Sequence, residues 1–218
     1  LLYCEKGLLD FDLSSDIAMN EKAQIQLVEL KGGRSRNIVP DEAVCLLKCE
    51  NPEVTAQTMV LPKQVTAKIC DGFLKLTSKG ISTHCMSPEK GCNAVSILLE
   101  TLGQFGEEFS HNSYMEKFHQ AIGMDYDGAR LGCAMEDSAG ALTFNVGTVC
   151  MQSDGQIFLQ CNIRYPASVE YSVIRELLEK QLKKNNFLYH EVDHLAPVYH
   201  KKDAPLIRCL MDAYQEVT

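Results

Sequence analysis

Polar and apolar residues alternate along several short stretches of this chain. The stretch Asp10-Phe11-Asp12-Leu13 is an example, and this period of two is typical of a strand with one buried face. Between two such stretches, Ser153-Asp154-Gly155 predicts the tight turn of a hairpin. The strands predicted in this way occupy residues 7–13, 23–31, 42–49, 73–81, 141–151, 156–165 and 187–193.

Apolar residues recur at helical spacing in the segments between these strands. The predicted helices are at 52–71 with an interruption near Pro62, after the N-cap Asn93, at 112–122, at 169–184 and from near Pro205 onwards. The helix at 169–184 is the clearest, because its apolar residues fall on one face that is predicted to point inward. Those residues are Val173, Ile174, Leu177, Leu178 and Leu182.

Both halves of the chain follow a similar order of elements. In each half, two paired strands precede a helix, a further strand and another helix. This order predicts an α+β fold of two similar lobes, each a mainly antiparallel sheet covered by helices. We place the first lobe at 1–110, the second at 111–203 and a last helix at 204–218. Since the chain starts at Leu1 and stops inside that helix, we expect it to be a piece of a longer protein.

The composition is that of a folded protein with a sizeable core. Of the 218 residues, 45% are hydrophobic and 23% are charged, as in ordinary globular domains. The net charge of −8 argues against a nucleic-acid partner, because such binding relies on a basic face. No apolar run approaches the ~18 residues that a membrane span needs, and the amino terminus lacks the pattern of a signal sequence.

The 10 cysteines are predicted to be reduced. Most have apolar neighbours, as Cys45 and Cys209 do, and a buried thiol behaves as a small apolar side chain. The chain is also far longer than the small scaffolds that depend on disulfides. It contains no Cys-x-x-Cys pair for a structural zinc ribbon. We therefore expect a cytoplasmic protein.

The segment His190-Glu191-Val192-Asp193-His194 matches the zinc-protease pattern H-E-x-x-H. That pattern requires a helix, where residues four apart share a face and bind one ion. Here Phe187-Leu188-Tyr189 favours a strand, on which four residues span ~13 Å. We interpret the match as a coincidence that leaves two histidines facing solvent. The alternative, a free-standing zinc protease built on His190 and His194, would be tested by metal content.

Three polar residues in loops or at strand ends are the candidate site residues. His84 lies in the loop between the strand at 73–81 and the helix after Asn93, and an imidazole N–H can stabilise an oxyanion. Arg164 ends a predicted strand, and its guanidinium can bind a carboxylate with two parallel hydrogen bonds. Asn37 follows a Gly-Gly loop, and its amide can donate to either group. Each also fits a structural role, as a loop histidine bonded to its own backbone, an ion-paired surface arginine and a turn asparagine.

Other catalytic groups are not evident in the sequence. It offers no credible metal cluster, no pair of general-base carboxylates and no Ser/His/Asp or Cys/His motif. Cys85 stands beside His84, so a thiol nucleophile is an alternative. Adjacent residues on an extended loop point apart, however, which disfavours that pairing.

Several motifs, in order along nearly the whole chain, resemble those of one family. Gly80–Ala94 resembles a histidine loop with the pattern G-x-x-x-H-x-x-x-P-x-x-G-x-N-A. This loop belongs to the lid domain of bacterial dipeptidase V-like zinc metallopeptidases, which are members of the aminoacylase and carboxypeptidase-G superfamily. The other matching segments are Cys4–Leu8 at the entry to the lid, Gly33–Asp41 (G-x-x-x-N-x-V-P), Leu142–Gly147 (L-T-x-N-x-G), Asn162–Pro166 (N-x-R-Y-P) and Pro197–Thr218 at the return to the catalytic domain.

The resemblance implies a ferredoxin-like lid and a role for each candidate residue. His84 would stabilise the tetrahedral intermediate, Arg164 would bind the terminal carboxylate of a dipeptide, and Asn37 would assist at the carbonyl or the carboxylate. In this family two zinc ions and the catalytic glutamate lie in a flanking catalytic domain, so this chain is expected to bind no metal and to hydrolyse nothing by itself. Dipeptidase V-type lids have two lobes that mimic the dimer formed by shorter lids, which implies a monomer.

Two other functions stay open. A related zinc amidohydrolase, such as a deacylase, would also use Arg164 to bind a carboxylate, so only a panel of substrates separates it from a dipeptidase. A non-catalytic α+β interaction module would instead pair through an exposed sheet edge. In that case His84 and Arg164 would point to unrelated surfaces rather than to one cleft.

Overall fold

The computed structural model describes residues 4–200 and 204–217. The strands in these residues are β1 (Cys4–Glu5), β2 (Gly7–Ser15), β3 (Gln26–Gly33), β4 (Glu42–Lys48), β5 (Val65–Cys70), β6 (Phe73–Lys79), β7 (Glu136–Asp137), β8 (Gly140–Ala141), β9 (Thr143–Met151), β10 (Ile157–Tyr165), β11 (Phe187–Leu195) and β12 (Val198–Tyr199). The helices are α1 (Pro52–Thr58), α2 (Ala94–Leu102), α3 (Asn112–Ala121), α4 (Tyr171–Lys184) and α5 (Pro205–Val217), with short 3-10 helices at Pro88–Lys90 and Gly103–Glu108.

One large antiparallel sheet organises the fold. Its strands follow the order β11-β2-β10-β9-β3-β4-β6-β5, and every pair of neighbours is antiparallel. Strand β2, from the start of the chain, lies between β10 and β11, so distant parts of the sequence share one sheet. Outside this sheet, β1 pairs with β12 and β7 pairs with β8.

The core lies on one face of this sheet. On β2, Leu9, Phe11 and Leu13 are fully buried, whereas the alternating Asp10 and Asp12 stay partly exposed. Helix α2 packs against β3, β4, β6 and β9, and α4 packs against β11. Burying a side chain such as Phe11 contributes ~1.5–3 kcal/mol. The apolar face therefore holds the helices, and the opposite face keeps the polar side chains.

Most of the predicted elements are confirmed to within a few residues at their ends. The exception is 52–71, where helix α1 ends at Thr58 and Val65–Cys70 forms strand β5. Proline cannot continue a helix, so Pro62 separates the two elements. The β-branched residues after it favour a strand, which pairs with β6 at the edge of the sheet.

The inward face of α4 is narrower than predicted. Ile174, Leu178 and Leu182, spaced four residues apart, are fully buried. Val173 is 46% exposed and does not face the core, which corrects its predicted inward position. The main contact of α4 is with strand β11, and residues four apart form the ridge of the helix that the sheet covers.

The architecture is α+β, with a large antiparallel sheet flanked by helices. The division into lobes at 1–110 and 111–203 and the ferredoxin-like form stay predictions. The sheet is continuous from β11 to β5, and β2 pairs with β10 and β11, which belong to the second proposed segment. In the segment 204–218, the predicted last helix is confirmed as α5.

All 10 cysteines carry free thiols, as predicted. Cys45, Cys85, Cys133 and Cys161 are buried. Cys209 is exposed, so the burial that its apolar neighbours in the sequence suggested is wrong for this residue. Across residues 4–200 and 204–217, no helix combines the length and the apolar character that crossing a membrane requires.

Candidate functional site

The loop that carries Asn37 lies directly on the polar face of strand β9. Gly33 ends β3 with a φ of +73°, and a Cβ built there would lie 1.9 Å from the Gly147 carbonyl oxygen. A Cβ on Gly147 would lie 2.4 Å from the Cα of Arg36. Only glycine permits both approaches. The two glycines therefore allow residues 34–38 to turn back over the sheet.

The loop that carries His84 docks on the Asn37 loop through backbone hydrogen bonds. The Val39 N–H donates to the Thr83 carbonyl at 2.8 Å, and the Cys85 N–H donates to the Asn37 carbonyl at 3.0 Å. At the base of the His84 loop, the amides and carbonyls of Ile81 and Cys92 bond each other at 2.9 Å. His84 is thus held between two residues whose backbones are fixed against the Asn37 loop.

The His84 side chain is exposed, and one of its nitrogens is already engaged. The Met86 backbone N–H donates to His84 Nδ1 at 3.2 Å. In a neutral imidazole, an Nδ1 that accepts a hydrogen bond leaves the proton on Nε2. In that neutral form the ring N–H of His84 is on Nε2, and an N–H donor is what the stabilisation of an oxyanion requires.

Arg164 is a half-buried cation beside the His84 loop. It is the next-to-last residue of β10, opposite Leu8 of β2 and Thr143 of β9. Burial raises the pKa of the Cys85 thiol, and a hydrogen bond from Arg164 together with its positive charge partly opposes that rise. The guanidinium is therefore close enough to the Cys85 thiol, in the residue that follows His84, to affect the pKa of that thiol.

The Arg164 guanidinium forms no ion pair with the acidic residues that the structure describes. Among the described residues, no acidic oxygen lies within 4.0 Å of its nitrogens, and its buried Nε lacks a hydrogen-bond partner. The nearby Arg36 is different, because its Nη2 contacts Asp12 Oδ1 at 2.5 Å. Of these two arginines on the polar face, only Arg164 is left to bind an external anion.

The three predicted site residues therefore come together. Asn37 and His84 lie on loops that bond each other, and Arg164 reaches the same loop through Cys85. The alternation predicted for β10 is confirmed, since Ile163 and Tyr165 are fully buried and Arg164 is not. The roles of the three residues stay predictions.

Asn145 is the asparagine of the Leu142–Gly147 motif, but the sequence reasoning did not include it among the candidate site residues. It lies under the Asn37 loop, and only 2% of it is exposed. In the stretch Thr143–Gly147, polar or small residues at every second position alternate with Phe144 and Val146. This period-two signal could have indicated a second polar position on the same face as Arg164.

A cavity of about 300 Å³ adjoins the two loops. Val39 and Asn145 contribute to it from the Asn37 side, and Pro88 from the His84 loop. Met124 and Tyr126 also line it. A larger depression of about 530 Å³ lies over β3 and β4. Neither of these two cavities is lined by His84, Arg164 or Asn37.

The H-E-x-x-H match lies on strand β11, as predicted. His190 is opposite Asp12 and His194 is opposite Leu9, so the two imidazoles point to opposite faces of the sheet. His194 does not face solvent as predicted, because it stacks on Tyr171 and lies 2.7 Å from the Tyr165 hydroxyl. Within residues 4–200 and 204–217, no group of three or more His, Cys, Asp or Glu side chains is arranged to hold a metal ion.

Comparisons with known proteins give a consistent set of relatives. No family model matches the chain. It is 29% identical over 222 residues to the protein named "Putative dipeptidase YtjP" of Bacillus subtilis, covering 99% of this chain and 47% of that protein. It is 24% identical over 226 residues to "Putative dipeptidase SAUSA300_1697" of Staphylococcus aureus, covering 100% of this chain and 48% of that protein.

Among solved structures, the aminoacylhistidine dipeptidase from Vibrio alginolyticus aligns with a TM-score of 0.42 and 13% identity, covering 100% of this chain and 45% of that one. The chain spans about half the length of the curated relatives it matches. Over essentially its whole length, the chain is therefore similar to one half of bacterial proteins that are named dipeptidases.

Proposed function

We propose that this chain is the lid domain of a zinc-dependent dipeptidase and supplies His84, Arg164 and Asn37 to a catalytic domain outside the chain. Its similarity to about half of each named dipeptidase supports this assignment. The observation that carries the proposal is that the Arg164 guanidinium, close to Cys85 in the His84 loop, has no acidic oxygen within 4.0 Å among the described residues.

Arg164 binds the terminal carboxylate of the dipeptide in this proposal. A half-buried cation without an anionic partner is costly, and a carboxylate offers the two acceptors that match the guanidinium fork. Asp10 lies close enough to Cys85 to affect the pKa of its thiol. Its Oδ1 accepts from Asn162 Nδ2 at 2.6 Å, and it forms no ion pair with Arg164. Among the described residues, Asp10 therefore does not compete with a substrate carboxylate for Arg164 through an ion pair.

His84 and Asn37 act on the scissile group. The Nε2–H of neutral His84 donates to the oxygen that becomes negative in the transition state, and one such donor contributes a factor of about 10²–10³ to kcat. The Asn37 Oδ1 accepts from Ser35 Oγ at 2.6 Å. This bond orients the side-chain amide and leaves its Nδ2 hydrogens for the substrate carbonyl or carboxylate.

Two zinc ions belong, in this proposal, to the flanking catalytic domain. The described residues do not fit a zinc site, because they offer no suitable ligand group. We therefore assign no step of the reaction to zinc within this chain and expect the chain alone to be inactive.

The whole protein is proposed to be a cytoplasmic monomer whose lid has lobes at 1–110 and 111–203. The free thiols agree with a reducing compartment.

The test uses the whole protein and two substrates, a dipeptide and the same dipeptide with its carboxyl group converted to an amide. Arg164→Ala should lower kcat/KM for the dipeptide by about 10–100-fold, which corresponds to a lost charged hydrogen-bond pair of ~1.5–3 kcal/mol. It should change kcat/KM for the amide far less. His84→Ala should lower kcat on both substrates.

Arg34→Ala is the matched control, because it removes the same charge from an exposed arginine that lies 3.7 Å from Asp41. It should leave both substrates unaffected. Equal losses on dipeptide and amide would refute the role of Arg164. Faster cleavage of N-acyl amino acids than of dipeptides would favour the deacylase, and no hydrolysis by the whole protein would favour the interaction module.

A further inference from the structure

Asn145 occupies the point where the Asn37 loop touches the sheet. It lies on β9 two residues before Gly147, beneath the backbone of residues 34–38. Its side chain is nearly inaccessible, with 2% exposed. A buried amide must be fully hydrogen-bonded to offset its lost hydration.

Both hydrogens of the Asn145 amide hold the Asn37 loop. Nδ2 donates to the Arg36 carbonyl at 2.8 Å and to the Ile38 carbonyl at 3.0 Å. These carbonyls belong to the residues immediately before and after Asn37. The amide therefore fixes the backbone on both sides of Asn37.

The oxygen of the same side chain faces the segment that follows the His84 loop. Asn145 Oδ1 accepts from Asn93 Nδ2 at 3.2 Å. Asn93 also donates to the Val146 carbonyl at 2.9 Å and caps α2 by accepting from the Ser96 N–H at 3.0 Å. Because Asn93 directly follows Cys92, which closes the base of the His84 loop, one amide connects both loops.

We propose that Asn145 is a positioning residue that holds Asn37 in register with His84; its effect on catalysis rests on the function proposed above. The position requires two donors and one acceptor in a small planar group, which an asparagine side chain provides. Aspartate has the same shape but no donor, and it would place a negative charge against two carbonyl oxygens.

The first test is a double-mutant cycle in the whole protein. Asn145→Asp should lower kcat/KM for a dipeptide by about 10²-fold, the effect of a small displacement of a substrate-contacting group. If Asn145 acts through Asn37, adding Asn37→Ala to Asn145→Asp should cause no further loss. A purely structural role for Asn145 would instead make the two losses multiply.

Asn185→Asp is the matched control. Asn185 is also buried, with 4% exposed, and its Nδ2 donates to the Gln181 carbonyl at 3.0 Å at the end of α4. The same substitution there removes a buried amide far from the two loops in the sequence. Asn185→Asp should leave kcat/KM unchanged, and Asn37→Ala should lower kcat/KM by the same factor with or without Asn185→Asp.

The second test measures hydrogen exchange in the whole protein and does not depend on activity. The amides of Cys85 and Val39 join the two loops, so they should exchange about tenfold or more faster in Asn145→Asp and not in Asn185→Asp. If Asn145→Asp fails to fold, Asn145→Ser is used in its place. Serine cannot make both hydrogen bonds to the Arg36 and Ile38 carbonyls, and it adds no charge.

Unchanged exchange at these amides would overturn the proposed link, as would multiplying losses in the double-mutant cycle. Faster exchange in a whole protein that hydrolyses no dipeptide would overturn the proposed function and support the link between the loops. The two failures are therefore distinguishable.

Discussion

Replacing Gly147 by alanine tests whether the Asn37 loop truly rests on strand β9. The added Cβ would lie 2.4 Å from both the Arg36 Cα and the Ser35 carbonyl oxygen. Ordinary contacts of this kind begin at 3.4 Å, so the loop or the strand must move by about 1 Å. Both contacting atoms are backbone, and no side chain can rotate away to relieve the clash.

The expected cost follows from what that movement breaks. Overpacking at a closed contact costs ~1–3 kcal/mol. If the loop lifts instead, the bonds from Asn145 to the Arg36 and Ile38 carbonyls lengthen, and each is worth ~0.5–1.5 kcal/mol. The two routes have similar costs, so we expect Gly147→Ala to lower the free energy of unfolding by about 2 kcal/mol.

Urea unfolding followed by circular dichroism measures this change, and Gly103→Ala is the control. Gly103 has helical φ and ψ, and its nearest neighbour would be the Met115 Cβ at 3.7 Å from an added Cβ. Alanine there should be neutral or stabilise by up to ~1 kcal/mol, because glycine loses more backbone entropy on folding. A Gly147→Ala protein within about 0.5 kcal/mol of the unmodified chain would refute the close contact, since this is below the cost of any such clash.

Two further predictions concern the core and the pH dependence of stability. Phe11 is fully buried and packs against Tyr189 with ring centroids 5.3 Å apart. Phe11→Ala should therefore lower the free energy of unfolding, measured in urea, by ~3–5 kcal/mol. A decrease no larger than that caused by Tyr126→Ala, a substitution at an exposed residue, would contradict this packing. Burial lowers the pKa of His111, whose Nε2 lies 2.9 Å from the Gly155 carbonyl oxygen, so the unfolded chain takes up a proton on acidification before the folded chain does. The free energy of unfolding should therefore fall as the pH drops below ~6.5, the pKa of a histidine in the unfolded chain. Urea unfolding at about pH 7.5 and pH 5 measures this fall, and His111→Gln should make it smaller. An equal fall in the variant would show that His111 is not responsible.

Local patterns predicted most of the elements correctly for identifiable reasons. The alternation in residues 7–13 and 156–165 is visible because each strand buries one face and exposes the other. The prediction at 52–71 was wrong in its second half. There the apolar spacing of Val65 and Ile69 fits a helix as well as a strand, and the pairing of β5 with β6 decided between them.

The candidate site could be predicted only in part. His84, Asn37 and Arg164 were identified as polar residues at loops and strand ends, and the structure brings them together. The importance of Asn145 was not visible, because its partners are the carbonyls of Arg36 and Ile38, more than 100 residues away in the sequence. The period-two pattern of Thr143–Gly147 can place Asn145 on the polar face, but it does not show which backbone carbonyls the side-chain amide binds.

The sequence by itself determined the α+β class, the reduced cysteines and the strand character of the H-E-x-x-H segment. These properties depend on composition and on the period of neighbouring residues, which are local. Only the tertiary structure decided that β2 lies between β10 and β11 and that, within residues 4–200 and 204–217, Arg164 forms no ion pair with an acidic residue. Strand order and charge pairing depend on contacts between distant residues, and the energy of such contacts is set by the packed fold rather than by any short segment.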